Sequence, residues 1–255
     1  MADDPTARFA TLVARKDQPV PLDEALLLIA VHADPAVDIA AEQARLDELA
    51  AGVEDDTVAA LREHLFDELG FAGDEHTYYD PSNSLLPAVL DRRLGIPITL
   101  AVVAMEVGRR CGVALDGISM PGHFLVRSTA EPDRYLDVFD GGRELDPAGC
   151  RAIFERVQEG MPWDDRHLEP AVPWTIVSRV LANLAGAYRR AGDRQSLCWA
   201  LALALHLPSA TYRERRELGL LLGASGRFGE GAVVLEGSTE DRDLEAAARL
   251  RARLN

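Results

Sequence analysis

The sequence predicts an α+β protein in which one buried helix packs on an antiparallel sheet, with helical segments on either side. Three observations predict it. Residues 21–70 carry apolar side chains at helical spacing. Residues 97–110 are apolar almost all round (Ile98, Leu100, Val102, Val103, Met105, Val107), a surface that suits only a buried helix. Residues 113–138 break into short, partly alternating runs, the pattern of a strand meander. Helices followed by strands, rather than alternating with them, place the chain among α+β folds.

Pro21-Leu22-Asp23 opens a helix that runs to about Ala33, where Asp34-Pro35 breaks it. A second helix spans about Ala36 to Ala51, with Gly52 as its stop. A third starts near Asp56, carries Val58, Leu61, Leu65, Phe66 and Leu69 on one face, and ends at Gly70. The turn-rich run Tyr78–Ser84 leads into a short amphipathic helix, Leu85–Leu94, stopped by Gly95. Pro97 then occupies a first helical turn, where its missing N–H costs nothing, and Gly112 ends that helix. Strands are expected at Val113–Ser119, His123–Arg127 and Arg134–Val138, separated by Pro121-Gly122 and Glu131-Pro132-Asp133. Asp140-Gly141-Gly142 reads as a tight turn, and Asp146-Pro147 caps a helix through about Glu159.

From Pro173 onward the pattern is helical, and the chain repeats itself. Leu184, Tyr188 and Gly192 correspond to Leu218, Leu222 and Gly226, each pair 34 positions apart. Cys198 and Ala200 fall in the same way on Ala232 and Val234. That period is the tetratricopeptide spacing, and His206-Leu207-Pro208 stands where such a repeat closes. Two ordinary amphipathic helix pairs would give a similar pattern. Stacked repeats need about three units to stand alone, so two are expected to lean on the central domain. The expected organisation is a helical segment over 1–75, a core over 76–160 and helical hairpins over 173–255.

Composition narrows the function classes. With 42 acidic against 27 basic residues, the net charge of −15 argues against a nucleic-acid partner, because phosphate backbones reward clustered Lys and Arg. The start MADDPTARFA lacks the basic flank and apolar run of a signal peptide, and the most apolar stretches are too short to span a bilayer. No membrane partner is expected, and a cytoplasmic location is. Cys111, Cys150 and Cys198 are odd in number, scattered and without CxxC spacing, which suits a reducing compartment.

Three ordered motifs resemble the SirB-type transglutaminase-like proteins: Tyr79-Asp80-Pro81-Ser82-Asn83-Ser84, then Leu90-Asp91-Arg92-Arg93-Leu94-Gly95-Ile96-Pro97-Ile98-Thr99-Leu100, then Pro121-Gly122-His123-Phe124-Leu125-Val126-Arg127. Asp137-Val138-Phe139-Asp140-Gly141-Gly142 and the tetratricopeptide-like C-terminus are similar to that family as well. The resemblance implies a papain-like core bearing a Cys-His-Asp triad, with the cysteine opening the buried helix, a strand presenting the histidine and a carboxylate orienting it. Here Pro97 stands in the cysteine's place. His123 takes the histidine's position, and Asp137 the carboxylate's, with Asp140 as the alternative. Tyr79, Asp80, Asn83 and Arg93 are candidate lining residues of a binding cleft, although the Asp-Pro-x-Asn-Ser run also explains itself as capping and turn chemistry. Cys111 lies about 21 Å along the helix from Pro97 and cannot substitute for the thiol; Thr99 is the nearest hydroxyl. No metal or cofactor is expected. The residues fit an interaction protein that receives a protein or peptide segment in its cleft or helical groove. The alternative is a hydrolase or amide-transfer enzyme in which His123 and Asp137 act with a non-thiol nucleophile.

Overall fold

A computed structural model describes residues 4–14 and 20–254; the parts of the expected helical segments at 1–3, 15–19 and 255 lie outside the described residues. The chain forms two compact units. One runs as far as Val180, and the other takes α1 (Pro5–Val13) together with everything from Leu181. The helices expected over 1–75 are therefore divided: α1 joins the C-terminal helices, and the rest joins the sheet.

In the first unit, α2 (Leu22–Ala33) is buried along most of its length, from Leu22 to Ala30. The next helix, α3 (Ile39–Ala51), starts three residues later than expected. Asp34 folds back on the amide of Ala36 at 2.9 Å, and Asp38 is the N-cap, accepting from Ala40 and Ala41. Thr57 caps α4 (Val58–Arg62), which widens into a π-helical turn over Glu63–Glu68 as the amide of Leu69 reaches back to the carbonyl of His64 at 3.0 Å. The two-residue strand β1 (Ala72–Gly73) pairs in parallel with β2 (Leu94–Gly95).

The helix before β2, α5 (Leu86–Arg92), does not run to Gly95. It ends at Arg93, which holds the left-handed conformation (φ 57°) usually left to glycine. Three hydrogen bonds offset that strain: the Arg93 amide to Val89 O (2.8 Å), its carbonyl to Ala72 N (3.0 Å), and its guanidinium to Leu69 O (2.8 Å).

The central helix α6 (Pro97–Cys111) is buried as its all-round apolar surface requires, Val102 fully so, and Gly112 closes it at φ 87°. Beside it lies a four-stranded antiparallel sheet in the order β3 (Leu115–Ile118), β4 (Leu125–Ser128), β5 (Tyr135–Asp137), β6 (Arg143–Leu145). Leu125 and Tyr135 join Ile118, Met120, Cys150, Ile153 and Phe154 in one cluster under α7 (Pro147–Val157). Val126 and Leu136 are buried on the opposite face. A sheet covered on both faces explains why its strands alternate only partly in sequence. Sequence patterning missed β6 because Arg143-Glu144-Leu145 is an edge strand with two exposed side chains.

In the second unit, the chain from Leu181 completes α8 (Pro173–Ala191) and continues through α9 (Arg194–Ala204), α10 (Tyr212–Ala224), α11 (Phe228–Glu236) and α12 (Asp241–Arg251). The turns fall at Gly192 (φ 71°) and Gly226 (φ 80°), as the 34-residue offset predicts. The two helices α10 and α11 cross closely: a Cβ on Gly231 would lie 2.6 Å from the Gly219 carbonyl. Asp243, fully buried, is held by Ser238 Oγ at 2.8 Å and by Arg216. No helix among the described residues is long and apolar enough to cross a membrane.

Candidate functional site

His123 does not stand in a strand, as expected, but in the turn ahead of β4. Gly122, at φ 75°, makes the reversal, and the His123 amide bonds Met120 O at 3.1 Å, so strand pairing begins only at Leu125. His123 Nε2 lies 2.9 Å from Asp137 Oδ1, with side chains only 12% and 3% exposed. The carboxylate accepts, so Nε2 carries the proton and the lone pair of a neutral ring sits on Nδ1, which makes no hydrogen bond among the described residues. Asp137 Oδ1 also accepts the amides of Phe139 (3.2 Å) and Asp140 (3.3 Å). Burial pushes the Asp137 carboxyl up, but the His123 hydrogen bond and charge and those two amides outweigh it, holding it below the ordinary carboxylate range. Asp140 points elsewhere and pairs with Arg143 at 3.0 Å.

A chain of contacts ties this pair to the opening of α6. The Phe139 ring faces both His123 (6.5 Å between centroids) and Tyr78 (5.9 Å), and its carbonyl accepts the Gly73 amide at 3.0 Å. Gly73 must be glycine, since a Cβ would come within 2.4 Å of the Phe139 ring. Gly73 pairs with Gly95 across the β1–β2 ladder, and Pro97 begins α6 two residues later.

The motif loop before α5 is braced from within. Asp74 accepts from the Thr77 amide (2.8 Å) and hydroxyl (2.5 Å) and from Arg92 Nη2 (3.0 Å). Arg92 also donates to Asn83 Oδ1 (2.6 Å) and to Ser82 Oγ, while Asn83 Nδ2 reaches Thr77 O at 2.7 Å. Asp80 caps Ser82. Of the four expected lining residues, Asp80 and Asn83 are thus engaged within the loop and Arg93 holds Leu69 O. Tyr79 is 58% exposed, edge-on to Tyr78. Sequence reasoning missed Asp74, Tyr78, Arg92, Phe139 and Arg179. The first four lie within or beside the quoted motifs, but nothing in sequence links Arg179 to His123.

None of the remaining nucleophile candidates hydrogen-bonds the imidazole among the described residues. Thr99 is buried, its hydroxyl donating to Asn83 O (2.6 Å) and Ile96 O (3.1 Å). Cys111 lies at the far end of α6, its sulfur on Gly108 O. Cys150 is fully buried; burial first, then Asp146 and Asp137, pushes its thiol up to about 12. Burial also raises the Cys198 thiol, in the other unit. Among the described residues no group of three or more His, Cys, Asp or Glu is placed to hold a metal ion.

The loop brace makes a pH prediction. The Thr77 hydroxyl and amide, then Asn83 and Arg92, hold the Asp74 carboxyl at about 2 against its ordinary 3.8, despite the opposing effect of burial. A depressed carboxyl stabilises the fold fully above its unfolded value and loses that contribution as pH falls through the folded one. Between pH 5 and 2 the intact protein is expected to lose on the order of 1 kcal/mol more than Asp74→Asn, allowing for screening around Arg92. Parallel urea midpoints for the two across that window would contradict it.

A helix opened by Pro97, a flanking antiparallel sheet and a His–Asp pair where the central strand β4 begins and its neighbour β5 ends define a transglutaminase-like core. The chain belongs to the transglutaminase-like superfamily, whose family profile matches residues 32–182. More particularly, it is 40% identical over 204 residues to a UPF0162 protein of Xylella fastidiosa (strain 9a5c), covering 74% of this chain and 73% of that one. It is 35% identical over 195 residues to a UPF0162 protein of Pseudomonas aeruginosa, covering 73% and 72%. F-box only protein 21 of Mus musculus is 28% identical over 175 residues, 64% of this chain but 26% of that one. No solved structure matches the chain.

Proposed function

We propose that the chain is a non-catalytic member of the superfamily, SirB-type and cytoplasmic, which receives a protein or peptide segment beside the His123–Asp137 pair or on its helical repeats. Its α8–α11 hairpins act as tetratricopeptide-like repeats. One observation carries this reading: the residue that opens α6 is Pro97, which has no thiol, while Cys111, Cys150 and Cys198 all lie elsewhere. The chemistry of the superfamily's triad requires a thiolate within hydrogen-bond reach of the imidazole, about 3 Å. Asp137 also has a structural role, since its side chain and its carbonyl both gather the amides of the turn at 139–142. The match to one quarter of F-box only protein 21 supports a module that also occurs within a longer chain.

A second reading, hydrolysis or amide transfer with water or a hydroxyl as nucleophile, is favoured by the open Nδ1 of a carboxylate-oriented imidazole. The two readings separate on amine-donor and glutamine-acceptor assays. The wild type is expected to show no turnover before or after thiol alkylation. Turnover that survives alkylation and disappears in His123→Ala would establish the second reading instead. Pro97→Cys probes the geometry directly: the new thiol is expected to alkylate at pH 7 at least about tenfold faster than Cys111, because the imidazole and the helix start lower its pKa. A thiol no faster than Cys111 would show that the pair does not face the opening of α6.

A further inference from the structure

Arg179, on the first turns of α8 and within the sheet unit, is the cation nearest the histidine turn. Its Nη1 donates to Ser119 Oγ (2.7 Å), Met120 O (3.2 Å) and His123 O (3.4 Å), and its Nη2 reaches His123 O at 3.4 Å. The guanidinium lies over the Phe124 ring, 5.4 Å from its centroid. Every acceptor it meets is neutral. By contrast, Arg45, Arg92, Arg110, Arg127 and Arg134 of the same unit each pair with a carboxylate. Burial lowers the Arg179 pKa, with Tyr78 as a partial counterweight, the expected cost of a cation without an anion.

The unused donors share one edge. Nε and the second Nη2 hydrogen have no partner among the described residues. The described side-chain atoms that are both buried and unbonded are the Nε of Arg127 and of Arg134, and Nε of Arg179 is not among them. The Nε–Nη2 edge is the one through which Arg189, Arg227 and Arg251 of this chain grip Glu217, Glu230 and Glu236 in bidentate fashion.

Resting on the peptide-receiving reading above, we propose that the Nε–Nη2 edge of Arg179 is a carboxylate subsite beside the His123 turn. The bound segment presents an Asp or Glu side chain, or a C-terminus, to it. The fork matches a planar carboxylate. Ser119, Met120 and His123 hold the guanidinium in place beforehand, so little side-chain freedom is lost on binding. Because the guanidinium rests on the His123 carbonyl, a carboxylate held there lies beside the histidine turn.

The test titrates the intact protein with acetyl-Glu-methylamide, its neutral isostere acetyl-Gln-methylamide, and acetyl-glycine, while the His123 ring signals are followed by NMR. Saturable shifts are expected with at least one acid and none with the isostere. The two acids distinguish a side chain from a C-terminus as the source. Arg179→Gln is expected to abolish the saturable shift, and Arg179→Lys, which keeps the charge but loses the fork, to weaken it by about tenfold or more. The inference is overturned if neither acid shifts His123, if the isostere binds as well as the acids, or if Arg179→Gln binds like the wild type. Should Arg179→Gln fail to give a folded amide spectrum, Arg179→Lys decides alone, and unchanged affinity there overturns the subsite. Loss of acid binding with the wild type still inactive removes only the subsite, whereas wild-type turnover would remove the non-catalytic reading whatever Arg179 does.

Discussion

Replacing Arg110 by methionine is expected to destabilise the sheet unit by about 3–5 kcal/mol, the range seen when one partner of a buried ion pair is removed. Arg110, near the end of α6, reaches Asp23 of α2 at 2.5 Å, Asp47 of α3 at 2.6 Å and Glu106 at 2.7 Å. Its side chain is 11% exposed, and those of Asp23 and Glu106 are 4% and 6%. Burial opposes the charge on Arg110, but its hydrogen bonds to the three carboxylates outweigh it and raise its pKa. Methionine fills much of the same space but leaves two buried carboxylates with the more exposed Arg109 as their paired cation, and with only the Glu24 amide and Gln43 also donating to Asp23. Arg110→Lys keeps a positive charge without the three-way fork and should fall between the two. Urea unfolding followed by circular dichroism, with hydrogen exchange of the α6 amides, measures the loss. A change below about 1 kcal/mol for Arg110→Met would show that the network is no more than a surface cluster.

Phe154→Ala is expected to cost a similar amount, about 3–5 kcal/mol, for a different reason. Phe154 is fully buried where α7 meets the sheet, packed with Ile118, Met120, Leu125 and Tyr135. Its ring stacks on His167 at 4.7 Å and meets Trp163 edge-on at 5.3 Å. Removing it takes away apolar burial and opens a cavity that a sheet covered on both faces cannot easily close. Trp163 then loses one wall, so its fluorescence should shift to the red in the folded variant before any unfolding. Phe154→Leu, which keeps most of the volume, should retain most of the stability. An unshifted emission and a loss under about 1 kcal/mol would mean that α7 is not anchored through this ring.

The sequence by itself determined the elements whose information is local. The all-round apolar surface between Pro97 and Gly112 specified a buried helix, the turn residues specified the meander, and Asp146-Pro147 specified the start of α7. The glycines at 192 and 226 marked helix ends that the structure places at left-handed turns. The motifs identified the superfamily and singled out His123 and Asp137, whose side chains the structure brings together. Tertiary structure decided what depends on partners distant in sequence. Arg93, rather than Gly95, ends α5, because its hydrogen bonds with Val89, Ala72 and Leu69 hold a non-glycine residue at φ 57°. Asp137 rather than Asp140 meets His123, because the turn that follows β5 carries Asp140 outward to Arg143. Arg92 rather than Arg93 braces the Asp74–Asn83 loop, a choice between neighbours that no periodicity distinguishes. Arg179 reaches the histidine turn from a helix 56 positions further on, as it is the packing of α8 on the sheet, and no pattern along the chain, that brings them together. Local propensity and spacing are written in contiguous residues, whereas a site is assembled by contacts between elements distant in sequence.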